Sequence, residues 1–195
     1  MSDKTKIIQQ VKASAATVGS LAGQAESIQE ICTTVIAALK GGNKVLTAGN
    51  GGSAAEALHM SEELVGRYRG NRVSLPAIAL VADPTAMTCI GNDFGFDEVF
   101  ARQIEGLGKP GDVLVLFSTS GNAVNLKRAL DAAQAKDMSV ICLLGRDGGP
   151  LAGQGQHELI VKSDATERVQ EAHILLVHVI LEAVEDAYMG QADDS

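Results

Sequence analysis

The chain has no tryptophan, two tyrosines and four phenylalanines among 195 residues. A core with so few rings must be built from Ala, Val, Leu and Ile, whose compact side chains let helices approach closely. Cysteine is scarce as well. Cys32, Cys89 and Cys142 are odd in number and far apart, which excludes a disulfide framework or a cysteine-rich zinc site and leaves the expectation of reduced, small core residues. No apolar run is long enough to cross a bilayer. The first residues do not form a basic segment followed by a short apolar stretch, so no signal peptide is expected. The reading is a soluble, cytoplasmic protein without a membrane partner. Positive charge is in deficit: 16 Lys and Arg stand against 24 Asp and Glu, for a net charge of −8. That balance argues against a nucleic-acid surface and requires any anionic ligand to find a local positive site.

What is present is an α/β alternation. Two helices lead, over about 4–22 and 25–39, the first with a stripe of Ile7, Ile8, Val11, Val18 and Leu21 and the second with Ile28, Ile31, Val35 and Ile36. Strands are expected at 44–48, 76–80, 113–117, 139–144 and 157–161, where β-branched and aliphatic residues form short runs bounded by Gly, Pro and Asp. Helices are expected at 53–68, from Asp83-Pro84-Thr85 onward, at 98–105, 123–135 and 166–188, with Gly91-Asn92-Asp93-Phe94-Gly95-Phe96 as a loop and Gln191–Ser195 as a solvated tail. No repeat or linker divides the chain. It reads as one α/β domain over 1–195, a doubly wound, flavodoxin-like five-stranded parallel sheet. Residues 1–40 form two extra N-terminal helices whose spare apolar faces suit packing on another subunit. Residues 41–190 supply the sheet core and the C-terminal helix. Ligands are expected at the carboxyl ends of the strands.

Gly49-Asn50-Gly51-Gly52-Ser53 joins the first strand to a helix. Such a turn presents free backbone N–H groups and the positive end of the helix dipole, which favour an anion such as phosphate. It carries neither the Lys-Ser/Thr of a Walker loop nor a G-x-G-x-x-G pattern, so an ordinary tight connection remains the alternative. His59 and Glu63, four residues apart, emerge on one helix face and suit either a shared metal ion or acid–base work, or are a solvated polar pair. Ser118-Thr119-Ser120-Gly121-Asn122 repeats the strand-to-helix context with three hydroxyls, more than one helix cap needs. Arg67 and Arg69 flank Tyr68 at a helix exit, where they can neutralise an anion or lie on the surface. Asn92 and Asp93 suit a turn or substrate hydroxyls. The last helix carries Gln170, His173 and His178. Gln170 and His178 are about 12 Å apart along its axis, and His178 alone reads equally as a packed core residue or a partner of Glu171 or Glu182.

Five motifs, Gly49-Asn50-Gly51-Gly52-Ser53, His59 with Glu63, Gly91-Asn92-Asp93, Ser118-Thr119-Ser120-Gly121-Asn122, and Arg168-Val169-Gln170-Glu171 with His178 beyond it, together resemble the sugar isomerase (SIS) domain family and, within it, the phosphoheptose isomerase branch. The resemblance spans nearly the whole chain, and the motifs stand in the family's order. It implies an aldose–ketose isomerase converting sedoheptulose 7-phosphate to D-glycero-D-manno-heptose 7-phosphate for the heptoses of the bacterial envelope and its lipopolysaccharide. It also implies a homotetramer with active sites shared between subunits. Carried over by position, His59, Glu63, Gln170 and His178 are expected to bind Zn2+, with Glu63 and His178 as catalytic base and acid. Asn50, Gly51, Gly52, Ser53, Glu63, Arg67, Asn92, Asp93, Ser118, Thr119, Ser120 and Gln170 are expected around the substrate. Ala123 stands where the family commonly has a substrate-contacting serine, and Glu167 where an aspartate is expected. A non-catalytic SIS protein assisting replication initiation through protein contacts is the alternative from another class. That branch replaces the glutamate and the later histidine, whereas Glu63 and His178 are both present here.

Overall fold

The computed structural model describes residues 3–189. Helix α1 spans Lys4–Ser20, begun by Asp3, whose side chain accepts from the Thr5 N–H at 3.1 Å. A 3-10 turn, Leu21–Gln24, leads into α2, Ala25–Lys40. Then follow β1 Val45–Gly49, α3 Gly52–Val65, β2 Ala77–Ala79, α4 Pro84–Asp93, α5 Ala101–Leu107, β3 Val113–Ser118, α6 Val124–Gln134, β4 Ser139–Gly145, β5 His157–Val161 and α7 Thr166–Tyr188.

The sheet order is β2-β1-β3-β4-β5, and every pairing is parallel. Strand β2 lies on one side of β1 and β3 on the other, so the winding reverses between β1 and β3. At such a switch point the loops leaving the two strands diverge and open a crevice above their carboxyl ends. Gly49 at the end of β1 is in register with Phe117 of β3. Both glycine- and hydroxyl-rich loops therefore open side by side at that crevice.

Alternation along the strands divides the core in two. Val45, Val113, Val115, Phe117, Ile141 and Leu143 pack with Ile31 and Val35 of α2, Met60 of α3 and Val177 and Ile180 of α7. Leu46, Ala48, Leu114, Leu116, Cys142 and Leu144 pack with Ile104 of α5 and Leu126 and Leu130 of α6. Helix α3 is tied to β1 from inside: the buried Thr47 hydroxyl donates to the Ala57 carbonyl at 2.8 Å and pairs with the Ser61 hydroxyl at 2.8 Å. Its C-terminus is held by Arg72, whose guanidinium donates to the carbonyls of Glu63 and Leu64 at 2.6 and 2.9 Å, a cation placed where the helix dipole is negative.

Three expectations are corrected. Gly91, Asn92 and Asp93 are not in a loop but form the last turn of α4, which ends only at Phe94 and Gly95 (φ 91°). A glycine inside a helix costs about 1 kcal/mol, and packing of Met87 and Ile90 of the same helix against the core offsets it. Cys89 is exposed on α4, whereas Cys32 and Cys142 are buried as expected. Helix α3 stops at Val65, so Arg67 and Tyr68 lie beyond it. The tail Gln191–Ser195 lies outside the described residues. Among the described residues, no helix is long and apolar enough to cross a membrane.

Helix α1 has no buried residue, and Ile7, Ile8 and Val11 are 51%, 45% and 65% exposed. An apolar groove of about 640 Å³, lined among others by Val18, Leu21, Ala25, Ile28, Leu175 and Val179, runs between the leading helices and α7.

Candidate active site

Gly49 must be a glycine for the first loop to form. A Cβ there would lie 2.4 Å from the Ser53 carbonyl oxygen, a backbone atom that cannot give way. The chain turns through Gly51 (φ 59°) into α3, and the Ser53 N–H closes the turn on the Asn50 carbonyl at 3.1 Å. The Ala54 N–H closes likewise on the Gly51 carbonyl at 3.1 Å, so the donors left at the start of α3 for an anion are those nearest Gly51 and Gly52. Ser53, expected among the substrate contacts, is only 3% exposed and lies beneath the turn, so its hydroxyl is not presented there. The Asn50 amide exchanges two hydrogen bonds with Asn125 of α6, at 2.9 and 3.0 Å. That pair locks the two loops together and sets their spacing.

In the second loop the buried Ser118 oxygen accepts from the Gly121 N–H at 2.9 Å, and Ser120 accepts from the Asn122 N–H at 3.3 Å. Ser118 thus shapes the loop from below. Thr119 and Ser120 are half-buried and stand at its mouth.

The side chains suited to chemistry come from α3 and α7, which lie side by side. Gln170 is against the start of α3, where a Cβ on Gly52 would meet its amide nitrogen at 2.2 Å. His178 is two turns further along α7. Its ring is 5.3 Å from that of His59 and stacks on Tyr68 at 5.8 Å. His59 Nε2 is 3.7 Å from a Glu63 carboxylate oxygen. Gln170 and His59 share a cavity of about 340 Å³ with Ala55, Glu56, Glu171 and Ile174. One chain therefore brings His59, Glu63 and His178 into one cluster and places Gln170 along the same α3–α7 seam.

His59 and Glu63, joined by Glu62 rather than by the expected Gln170 and His178, form a group that fits a metal ion. His59 Nε2 is a buried nitrogen without a hydrogen-bond partner. One ligand atom from each of His59, Glu62 and Glu63 lies within 4.8 Å of the others. Imidazole and carboxylate donors together suit a divalent metal ion. Glu62 was not among the expected ligands. Its spacing from His59, one helical turn, is the signal that could have found it.

Asn92 and Asp93 are exposed at the end of α4, joined to each other by a 2.7 Å hydrogen bond. Arg67 is exposed beyond α3. Arg69 pairs with Glu182 at 2.9 Å and lies 4.8 Å above the Tyr68 ring, so it braces Tyr68 against His178. Tyr68 and Asn125 escape sequence reasoning, because each acts through a contact with a residue far along the chain.

Behind the cluster, His173 is wholly buried. Its Nε2 is 3.3 Å from the Leu144 carbonyl, its Nδ1 3.6 Å from a Glu56 carboxylate oxygen, and its ring is edge-on to Phe117. It packs α7 against the sheet.

A family model described as the SIS domain matches residues 9–145. The chain is 44% identical over 187 residues to a protein of Campylobacter concisus named phosphoheptose isomerase, covering 96% of this chain and 99% of that one. A solved structure of phosphoheptose isomerase from Neisseria gonorrhoeae superimposes with a TM-score of 0.82 at 39% identity, covering 93% of this chain and 96% of that one. One from Francisella tularensis superimposes with a TM-score of 0.91 at 33% identity, covering 95% and 100%. The fold is thus shared with proteins alike over nearly their full lengths, and the chain belongs to the SIS domain family, in its phosphoheptose isomerase branch.

Proposed function

We propose that the protein is a phosphoheptose isomerase acting on sedoheptulose 7-phosphate to form D-glycero-D-manno-heptose 7-phosphate, a precursor of envelope heptose. The observation that carries this reading is the convergence of Glu63 and His178, from two different helices, on the His59 cluster beside two loops suited to a phosphate.

Thr119, Ser120 and the N–H groups opening α3 and α6 bind the anionic end of the sugar, with Asn50 held in place by Asn125. The sugar then extends along the α3–α7 seam. Glu63 takes a proton from C1 of the ketose, the C1–C2 enediol forms, and a proton returns to C2. His178 transfers protons at the O1 and O2 oxygens, so atoms and charge balance over the cycle. Tyr68 stacks on the imidazole. His59 and Glu63 would hold zinc, with Glu62, His178 or Gln170 completing the set. Bound zinc supplies Lewis-acid polarisation of a carbonyl oxygen.

We place the protein in a homotetramer. The exposed Ile7, Ile8 and Val11 stripe and the apolar groove beside α7 are apolar surfaces that neighbouring subunits would cover. Asn92 and Asp93, exposed and away from the cluster, then face a neighbouring subunit's site. Light scattering at micromolar concentration is expected to give four chains, and a stable monomer would remove this assembly.

The deciding experiment is incubation with sedoheptulose 7-phosphate followed by NMR of the product. The expected result is an aldoheptose 7-phosphate in equilibrium with the ketose. Unchanged substrate with metal-loaded protein would overturn the isomerase reading.

A further inference from the structure

The turn after β4, Gly145-Arg146-Asp147-Gly148-Gly149, takes no part in the chemistry above, yet it is pressed directly against the second loop. A Cβ on Gly145 would lie 2.5 Å from the Thr119 carbonyl oxygen. One on Gly149 (φ 53°) would lie 2.6 Å from the Ser120 carbonyl oxygen and 3.0 Å from Asn122 Oδ1. In the opposite direction, a Cβ on Gly121 (φ 64°) would lie 1.8 Å from the Gly148 carbonyl oxygen. Three glycines on the β3–α6 and β4–β5 connections thus put backbone on backbone. The turn is held in shape by its own bonds: Gly148 N–H donates to the Gly145 carbonyl at 2.9 Å, and Gly149 N–H to the Asp147 carboxylate at 3.1 Å. From the other side, Val169 of α7 closes on Gly145, 2.7 Å from where its Cβ would be.

We propose that this turn is a positioning element for the anion-binding loop: it sets where the Thr119 and Ser120 hydroxyls and the neighbouring N–H groups stand, and so sets affinity for the phosphate end of the substrate. Backbone cannot rotate out of the way as a side-chain terminus can, so a displacement of one connection passes to the other. Glu63 lies on α3, and His178 stands nine residues beyond Val169 on α7, about 13 Å further along its axis. The effect therefore belongs to binding common to ground and transition states, which appears in KM more than in kcat. The proposal rests on the second loop being the phosphate site.

The test compares Gly149→Ala with Gly153→Ala. Both glycines have positive φ, 53° and 71°, so both variants carry backbone strain. A Cβ at Gly153 meets nothing within 4 Å, whereas one at Gly149 drives into Ser120. Gly149→Ala is expected to raise KM for sedoheptulose 7-phosphate about tenfold or more, the scale of one displaced hydrogen bond to a charged group, with a smaller change in kcat. The dissociation constant for inorganic phosphate, measured by calorimetry, should rise in step. Gly153→Ala should lower Tm while leaving KM unchanged. If Gly149→Ala does not fold, Asp147→Ala loosens the same turn from an exposed position and should show the same split on a smaller scale. Equal KM in Gly149→Ala and wild type, or an equal rise in Gly153→Ala, overturns the proposal. If the wild-type protein turns over no sugar phosphate, the isomerase reading fails separately, and the phosphate affinities of the same variants still decide whether the turn positions the loop.

Discussion

Gly52→Ala tests whether Gln170 belongs to the site without touching Gln170. Gly52 is the first residue of α3, and its φ lies outside the left-handed region. Alanine is therefore compatible with the backbone and is the better helix former, by up to about 1 kcal/mol. The added methyl group would sit 2.2 Å from the Gln170 amide nitrogen and 2.8 Å from its Cδ. Both atoms are at the free end of a flexible side chain, so the fold survives and the amide retreats, by about 1 Å or more to reach ordinary contact distance. A displacement of that size in a substrate-positioning group can lower turnover about 100-fold, equivalent to about 2.7 kcal/mol of barrier. The Gly52 N–H itself is retained. The assay is kcat and KM on sedoheptulose 7-phosphate, with metal content by mass spectrometry and Tm by calorimetry. Expected are a Tm equal to or above that of the wild type and a turnover reduced about 10- to 100-fold. Wild-type kinetics with an intact fold would show that the amide's position does not matter and would remove Gln170 from both substrate and metal.

Glu63→Gln keeps the shape of the carboxylate but cannot accept a carbon-bound proton, so turnover should fall about 10²–10⁴-fold while sugar-phosphate binding by calorimetry persists; near wild-type turnover would refute the role of Glu63. The thiols should separate in a disulfide-exchange assay. Burial pushes Cys142 up to about 12, with a smaller contribution from Glu158, and burial also raises Cys32, whereas Cys89 is exposed; one thiol should react rapidly at neutral pH, and Cys89→Ser should abolish that phase. Glu185 should make stability depend on acidity. Burial raises its carboxyl, but the N–H groups of Arg69, Gly70 and Tyr68 and the Arg72 guanidinium outweigh burial and hold it below its ordinary value. Its contribution is present above the unfolded value near 4.5 and is lost as pH falls through the lower folded one. The stability gap between wild type and Glu185→Gln, by urea unfolding, should close over that acid range, and a gap constant with pH would contradict the assignment.

Much of the fold is legible because it is local. The alternation of short aliphatic runs with helical stretches locates all five strands to within a residue or two, and β5 and α7 have the expected bounds. The exception is instructive. Gly91 and Gly95 read as a loop from composition, yet the chain stays helical through Asp93 because Met87 and Ile90 are anchored in the core. A neighbour in space, absent from any window of sequence, outweighs the glycine. Cys89 errs for the related reason that a small apolar residue carries no mark of which side of its helix meets the sheet.

By itself the sequence determined the parallel α/β architecture, the two loops at strand ends and the pairing of His59 with Glu63, since each depends on residues within one turn or one strand–helix unit. Only the tertiary structure decided that His178 reaches His59 across two helices, that Tyr68 stacks on His178, that Asn125 locks Asn50, and that Ser53 is buried while Thr119 and Ser120 stand at the loop mouth. The structure also answers the axial separation of Gln170 and His178: α3 runs alongside α7, so the two residues meet different parts of the same seam, Gly52 and His59. The physical reason is that spacing along a chain fixes direction on one element only. Distances between elements are set by how their apolar faces pack, and a constellation drawn from several elements exists only once that packing is complete.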